Sequence, residues 1–218
     1  MPPEHISAVR KMNGGVDMFK KIRYNSPVVL TFAFISLASL LLGYLTKGWT
    51  TQHFFCVRHT AYSDPLTYVR MICYVFGHED YQHFIANIPL LLVIGPTLEE
   101  KYGSKRLLIA MLVTALIGGV VQFFVFPSTA LLGASGIVYM LIILASLGGI
   151  TQGTIPLTMI IVALFYIGGA IIDGIFVKDN ISQLTHVIGG VCGGAFGYLM
   201  VNRGVTLKQG AGPGPGTN

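Results

Sequence analysis

The charged residues of this chain fall at intervals, and the stretches between them are apolar. Residues 24–46 (23 positions, between Arg23 and Lys47), 81–98 (18, between Asp80 and Glu99) and 180–202 (23, between Asp179 and Arg203) carry no charge. Each is one membrane crossing long, since about 20 residues at ~1.5 Å rise span the hydrocarbon. Between Arg106 and Asp173 stand 66 consecutive uncharged residues, broken by the turn-like Phe126-Pro127-Ser128-Thr129 and Gly148-Gly149-Ile150-Thr151-Gln152-Gly153. At roughly 20 residues per crossing this stretch divides into three helices and two tight turns. The pattern predicts an all-α polytopic membrane protein with six transmembrane helices, near 27–46, 81–98, 106–126, 134–149, 155–172 and 182–202.

One connection is long. Residues 47–80 form a 34-residue loop containing Trp49, Phe54, Phe55, Tyr62, Tyr68, Tyr74 and Phe76, and rings beside a membrane prefer the headgroup layer. Leu66, Val69, Ile72, Cys73 and Phe76 have helical spacing, which predicts one short amphipathic helix inside this interfacial loop.

Composition agrees with the pattern. Apolar residues make up 53% and charged residues 11%, against about a quarter charged in a soluble domain, which excludes an ordinary globular protein, disorder or a coiled coil. The positive charges assign sides. With the N-terminus inside, Arg10, Lys11, Lys20, Lys21, Arg23, Lys101, Lys105, Arg106, Arg203 and Lys208 are cytoplasmic, and only Lys47, Arg58, Arg70 and Lys178 are outside. The positive-inside rule therefore places both termini in the cytoplasm. This asymmetry is sufficient to explain the net charge of +5, so no nucleic-acid partner is inferred. Residues 1–26 are too polar for a signal peptide, and the first apolar run lacks a small-residue cleavage site, so it should remain as an anchor. The expected organisation is a basic cytoplasmic segment at 1–26, one membrane domain at 27–202 and a disordered cytoplasmic tail at 203–218, rich in Gly and Pro. A multi-pass protein of the plasma membrane follows. Cys192 reads as a small apolar filler in the last span, while Cys56 and Cys73 share the outer loop, where the sequence leaves pairing open.

Polar groups inside spans are costly, so each needs an account. In the six-helix topology the second, fourth and sixth helices all run inward from the outer face. His83, Asn87, Ser135 and His186 all lie in their first turn or two, at one depth. Ser135 sits in Gly133-Ala134-Ser135-Gly136, where small neighbours let other backbones approach and free helix amides can face a developing oxyanion. The alternative is a small-residue cap or helix contact. His186, Gly189, Gly190, Gly193 and Gly197 share one helical face, which can press the imidazole against a neighbouring helix; the alternative is a hydrogen-bonded packing histidine. His83 and Asn87, four apart, face one way and both can donate hydrogen bonds. A zinc site is set aside, because His78 and His83 are five apart, about 140° around a helix, where the zinc-protease motif needs four. Neither a metal nor a cofactor is expected.

These residues resemble the rhomboid intramembrane serine proteases. Residues 76–87, Phe-Gly-His-Glu-Asp-Tyr-Gln-His-Phe-Ile-Ala-Asn, look like that family's His-x4-His-x3-Asn segment. Residues 133–139 look like its Gly-x-Ser-Gly motif with a following tyrosine, and His186 with Gly189 and Gly193 matches its His-x2-Gly-x3-Gly signature. The resemblance, covering about 27–202, implies Ser135 as nucleophile, His186 as general base, and His83, Asn87 and the Ser135 amide as the oxyanion site. Gly133, Gly136, Gly189 and Gly193 would support them, and Tyr139 would pack on the His186 ring. It implies transmembrane protein substrates, met within membrane lipid and cut near the outer face. Two features depart from the family: Tyr81 stands where a Trp is frequent, and Arg70 follows Val69 in place of a Trp-Arg pair. Asp173 is the only acid near the site and is read as a loop residue. The alternative function is a non-proteolytic rhomboid-like protein that binds transmembrane clients; such relatives usually lack the serine or the histidine. A small transporter is disfavoured by the lack of Asp, Glu, Lys or Arg within the six spans.

Overall fold

The computed structural model describes residues 24–148 and 180–202, with Leu157, Ile161, Leu164, Phe165 and Gly168 between them. The predicted turn at 149–153, the rest of the predicted fifth helix, Asp173, Lys178, residues 1–23 and the tail from 203 lie outside the described residues. The elements are α1 (Pro27–Leu45), α2 (Trp49–Phe54), β1 (Val57–Arg58), α3 (Pro65–Cys73) with a 3-10 turn at Tyr74–Phe76, α4 (Tyr81–Tyr102), α5 (Ser104–Val125), β2 (Ala130–Leu131), α6 (Ser135–Gly148) and α7 (Asn180–Asn202). Among the described residues α1, α4 and α5, of 19, 22 and 22 residues, are long and apolar enough to cross a membrane. The described parts of α6 and α7 are apolar but shorter.

Helix boundaries follow local chemistry. Pro27 opens α1, where its missing N–H would have no helical partner anyway. Lys47 (φ 52°) and Gly48 (φ 86°) turn the chain out of α1 into α2. Asp80 caps α4, its carboxylate accepting the His83 N–H at 2.7 Å. Gly103 (φ 84°) alone separates α4 from α5.

The packing is inside-out relative to a soluble protein. Ser36 and Ser39 of α1 are buried, while Leu41 and Leu45 are 53% and 80% exposed. In lipid the exterior is as apolar as leucine, so helices meet through small residues and turn large aliphatic ones outward. α6 is the most enclosed element: Met140, Leu141 and Leu144 have no exposed surface, and α4, α5 and α7 all pack on it.

The same inversion corrects the expectation for the outer loop. Helix α3 forms where its spacing predicts, but its buried face is Thr67, Arg70 and Met71, with Tyr74 of the following turn, while Val69 is exposed. Arg70 can be buried because its donors are used: Nε bonds the His53 carbonyl at 2.6 Å and Nη1 pairs with Asp64 at 2.9 Å. Hydrogen bonding by Arg70, and then by the Leu66 N–H, holds the Asp64 carboxyl below its usual range. The Thr67 hydroxyl donates to the Ala61 carbonyl at 3.0 Å. Arg70, read from sequence as an outer charge and as a departure from the family's Trp-Arg pair, is the internal tie of the loop. Of the loop aromatics, Trp49, Tyr62 and Tyr68 are more than half exposed, but Tyr74 is buried. Cys56 and Cys73 are both free thiols, and burial pushes each upward in pKa.

A second correction concerns the end of α4, expected at 98. The helix continues through Glu99 to Tyr102, because Glu99 does not mark an interface with water. It is buried, accepting the N–H groups of Val28 and Val29 at 3.0 Å each and the Ser104 hydroxyl at 2.7 Å. One carboxylate thus caps the start of α1 and clasps the α4–α5 junction. Glu99→Ala leaves the buried Val29 amide and the half-buried Val28 amide without their acceptor, and an unsatisfied buried group of this kind costs about 1–3 kcal/mol. We expect a lowered melting temperature for purified Glu99→Ala, with a smaller loss for Glu99→Gln, which keeps one acceptor oxygen; an unchanged melt for Glu99→Ala would refute the clasp.

Candidate active site

Three helix beginnings and the loop supply the site. In α4, His83 lies in the first turn, and one turn later the buried Asn87 donates Nδ2–H to the His83 carbonyl at 2.9 Å. Ser135 opens α6 and is half-buried. The approach to it is set by Gly133 at φ 125°, a conformation that side chains rarely adopt. A Cβ at Gly133 would also lie 2.7 Å from His83 Nε2 and 2.8 Å from Cε1, so the His83 ring lies directly against this glycine. The Gly133 N–H donates to the Tyr74 carbonyl at 3.0 Å. Just upstream, Val57 pairs with Leu131 and Arg58 with Ala130 in an antiparallel bridge. The loop between α1 and α4 is therefore bonded to the segment that leads into Ser135.

Helix α7 reaches α6 through its glycines. A Cβ at Gly189 would collide with the Gly136 carbonyl, and one at Gly193 with the Met140 carbonyl. At Gly197 a Cβ would lie 2.8 Å from Leu147 Cδ1. The contact is reciprocal, since a Cβ at Gly136 would lie 2.9 Å from Thr185 Cγ2. Gly136 follows Ser135 and Thr185 precedes His186, so serine and histidine sit at the same level of adjoining helices. The His186 and Tyr139 rings are stacked, with centroids 4.0 Å apart and planes within 8°. Gly190 belongs to the same sequence stripe but is off the contact, its nearest neighbour being Ile143 Cγ1 at 3.8 Å.

His78, which the sequence offered as the first histidine of the His-x4-His-x3-Asn segment and as a rejected zinc ligand, without a role at the site, is buried at 1% exposure with its ring edge-on to His83, centroids 5.1 Å apart. Its Nδ1 is 3.3 Å from the Phe76 carbonyl and its Nε2 has no partner. Burial, and then the nearby His83, lower its pKa to about 4. The sequence signal was its place two residues after Phe76 in the quoted motif, but nothing local distinguished a buried neutral imidazole. A cavity of about 420 Å³ lies beside it, lined in part by Lys47, Thr51, Gln52, Glu79 and Leu132.

The fold and this geometry define a class: a helical membrane protein with serine and histidine on two tightly apposed helices, and a histidine at the start of a third lying against the glycine two residues before the serine. Residues 65–203 match the profile of the Rhomboid domain, and the chain belongs to the rhomboid family of integral membrane proteins. It is 30% identical over 141 residues to rhomboid-related protein 1 of Caenorhabditis elegans, covering 61% of this chain and 40% of that protein. It is 28% identical over 200 residues to rhomboid-related protein 2 of Mus musculus, covering 80% of this chain and 65% of that protein. A 66-residue stretch is 30% identical to rhomboid-like protease 3 of Toxoplasma gondii, covering 30% of this chain and 25% of that protein. The chain thus spans less than two thirds of the length of each of these relatives.

Two outcomes check this geometry. Gly193→Ala places a methyl group on the Met140 carbonyl, whereas Gly194→Ala meets nothing within 4 Å. Overpacking costs about 1–3 kcal/mol, and Gly-to-Ala in a helix otherwise gains roughly 0.5–1 kcal/mol. Thermal melts should therefore move in opposite directions, and equal melts would remove the glycine contact. His78 gives a pH signature. Its folded pKa of about 4 lies below the ordinary 6.5, so its neutral form is favoured by folding. The resulting stability is complete above pH 6.5 and is lost as pH falls toward 4. His78→Phe should flatten the acid limb of stability against pH between 6.5 and 4; an identical limb in wild type and variant would contradict the assignment.

Proposed function

We propose that this protein is an intramembrane serine endopeptidase that cleaves transmembrane substrates near the outer face of the membrane with a Ser135–His186 dyad. The observation that carries the reading is the glycine-mediated contact of α6 and α7, which sets His186 on Tyr139 one turn from Ser135. Family membership and the protease named among the relatives support it. His186 takes the Ser135 proton, the serine oxygen attacks a substrate carbonyl, and the acyl-enzyme is released by water. The oxyanion is met by the Ser135 amide at the start of α6 and by His83 and Asn87. Water enters from the outer side, where the cavity beside His78 lies.

The proposed topology has six spans with both termini cytoplasmic, in the plasma membrane, and rests on the ten-to-four division of basic residues. A helical substrate carbonyl is already hydrogen-bonded within its helix, so cleavage requires local unwinding. Substrates should carry Gly, Pro or other weak helix formers in the outer part of their spans. A client-binding protein without proteolysis has no use for an apposed serine and histidine.

The deciding experiment is single-turnover cleavage of a model transmembrane substrate. Ser135→Ala, His186→Ala and the double variant should be almost equally inactive, because the second loss from a broken dyad adds little. Asn87→Ala and His83→Ala should each lose about 10²–10³-fold. Near-normal cleavage by folded Ser135→Ala would end the protease reading, and additive losses in the double variant would break the dyad.

A further inference from the structure

Helices α1 and α5 approach each other but leave part of the space between them open. The end of the interfacial segment is wedged between them, with Phe76 against Phe32 at a ring separation of 4.7 Å. Beneath this wedge a cleft of about 300 Å³ opens between the two helices. Its walls are apolar: Ile35 on α1, Leu108 and Leu112 on α5, Ile72 and Phe76 above. The one polar wall residue is Thr31, whose hydroxyl shares a hydrogen bond with the Tyr24 hydroxyl at 3.1 Å.

Size and charge select the occupant. One turn of helix, 5.4 Å high and about 10 Å across, fills about 400 Å³, so the cleft is too small for a substrate or partner helix. From Leu108 to Ala115 it runs along α5 for about 10 Å, within the roughly 15 Å of hydrocarbon in one leaflet. That is the shape of a single acyl chain. α1 and α5 both begin at the same end of the cleft. There Lys105, on the face of α5 shared by Leu108 and Leu112, is exposed and has no carboxylate partner among the described residues. Arg106 is exposed beside it. The acidic Glu99 and Glu100 line a separate polar recess with Pro96 and Ser104.

We infer that this cleft is a lipid site that seats one acyl chain of an anionic phospholipid, with the lipid phosphate at Lys105. The seat has a structural consequence. The turn that roofs it presents the Tyr74 carbonyl to the Gly133 N–H, so an occupied cleft props the segment entering α6.

The test uses the full chain reconstituted in vesicles of phosphatidylcholine with increasing phosphatidylglycerol, either lipid brominated at mid-chain to quench tryptophan. Trp49 is the single tryptophan, so Trp49→Phe is the background. Ile35→Trp reports the cleft, and Phe34→Trp, at a 60% exposed position of similar depth outside it, reports bulk lipid. In Ile35→Trp, phosphatidylglycerol should quench about fivefold more effectively than phosphatidylcholine and saturate at a low mole fraction, while Phe34→Trp should follow bulk composition. Adding Lys105→Glu should abolish the preference. Equal quenching by the two lipids at Ile35→Trp, the same preference at Phe34→Trp, or a preference that survives Lys105→Glu would each overturn the site. In a second measurement free of tryptophan changes, phosphatidylglycerol added to the detergent-purified wild type should raise its melting temperature more than phosphatidylcholine does. Lys105→Glu should remove the difference, and equal shifts in wild type would count against the proposal.

Discussion

Everything at the candidate site depends on how closely α7 approaches α6. In a membrane, helices gain nothing by hiding apolar surface from one another, so association rests on van der Waals contact and short interhelical distance. Gly136 on α6 and Gly189, Gly193 and Gly197 on α7 remove the side chains that would hold the axes apart. Backbone carbonyls at Gly136 and Met140 then occupy the space where a Cβ would stand. The result is a helix pair with little freedom to slide, and it is this pair that carries Ser135, Tyr139 and His186.

The other side of the site is held by the loop between α1 and α4, not by a long apolar helix. Gly133 must turn through a left-handed conformation and pass against the His83 ring, and its N–H is tied to Tyr74 of the loop. The loop can hold it because it has a polar interior of its own, built on Arg70, Asp64 and Thr67. A segment that looks like a flexible connection between spans is therefore a rigid part of the scaffold. Its ladder with Ala130 and Leu131 ties the loop to the chain entering α6.

Of the buried ionisable groups, one joins distant parts of the chain and another stays uncharged within its own segment. Glu99 joins the first turn of α1 to the α4–α5 junction by accepting three hydrogen bonds. His78 stays neutral against His83, with burial as the main cause. Glu99 replaces contacts with water by hydrogen bonds from protein and costs stability when only one partner is removed, whereas His78, whose Nε2 has no partner, is accommodated by staying uncharged.

The spacing of charges, with the turn-like breaks, by itself located α1, α4, α5, α6 and α7 to within a few residues, because a charge inside hydrocarbon is costly and its position is visible in one dimension. The exception is the buried Glu99, past which α4 runs on to Tyr102. The period of the helix likewise put Gly189, Gly193 and His186 on one face, and placed a short helix within residues 66–76. Which face each helix buries was decided only by the tertiary structure. With lipid on one side and protein on the other, both faces of α1 are rich in apolar residues and the buried face of α3 is its more polar one, so hydrophobicity carries no sign that tells inside from outside. The roles of Glu99, Arg70 and His78 were hidden for a related reason. Glu99 meets Val28 across 71 positions of chain, and local sequence contains no signal for a hydrogen bond made over that distance.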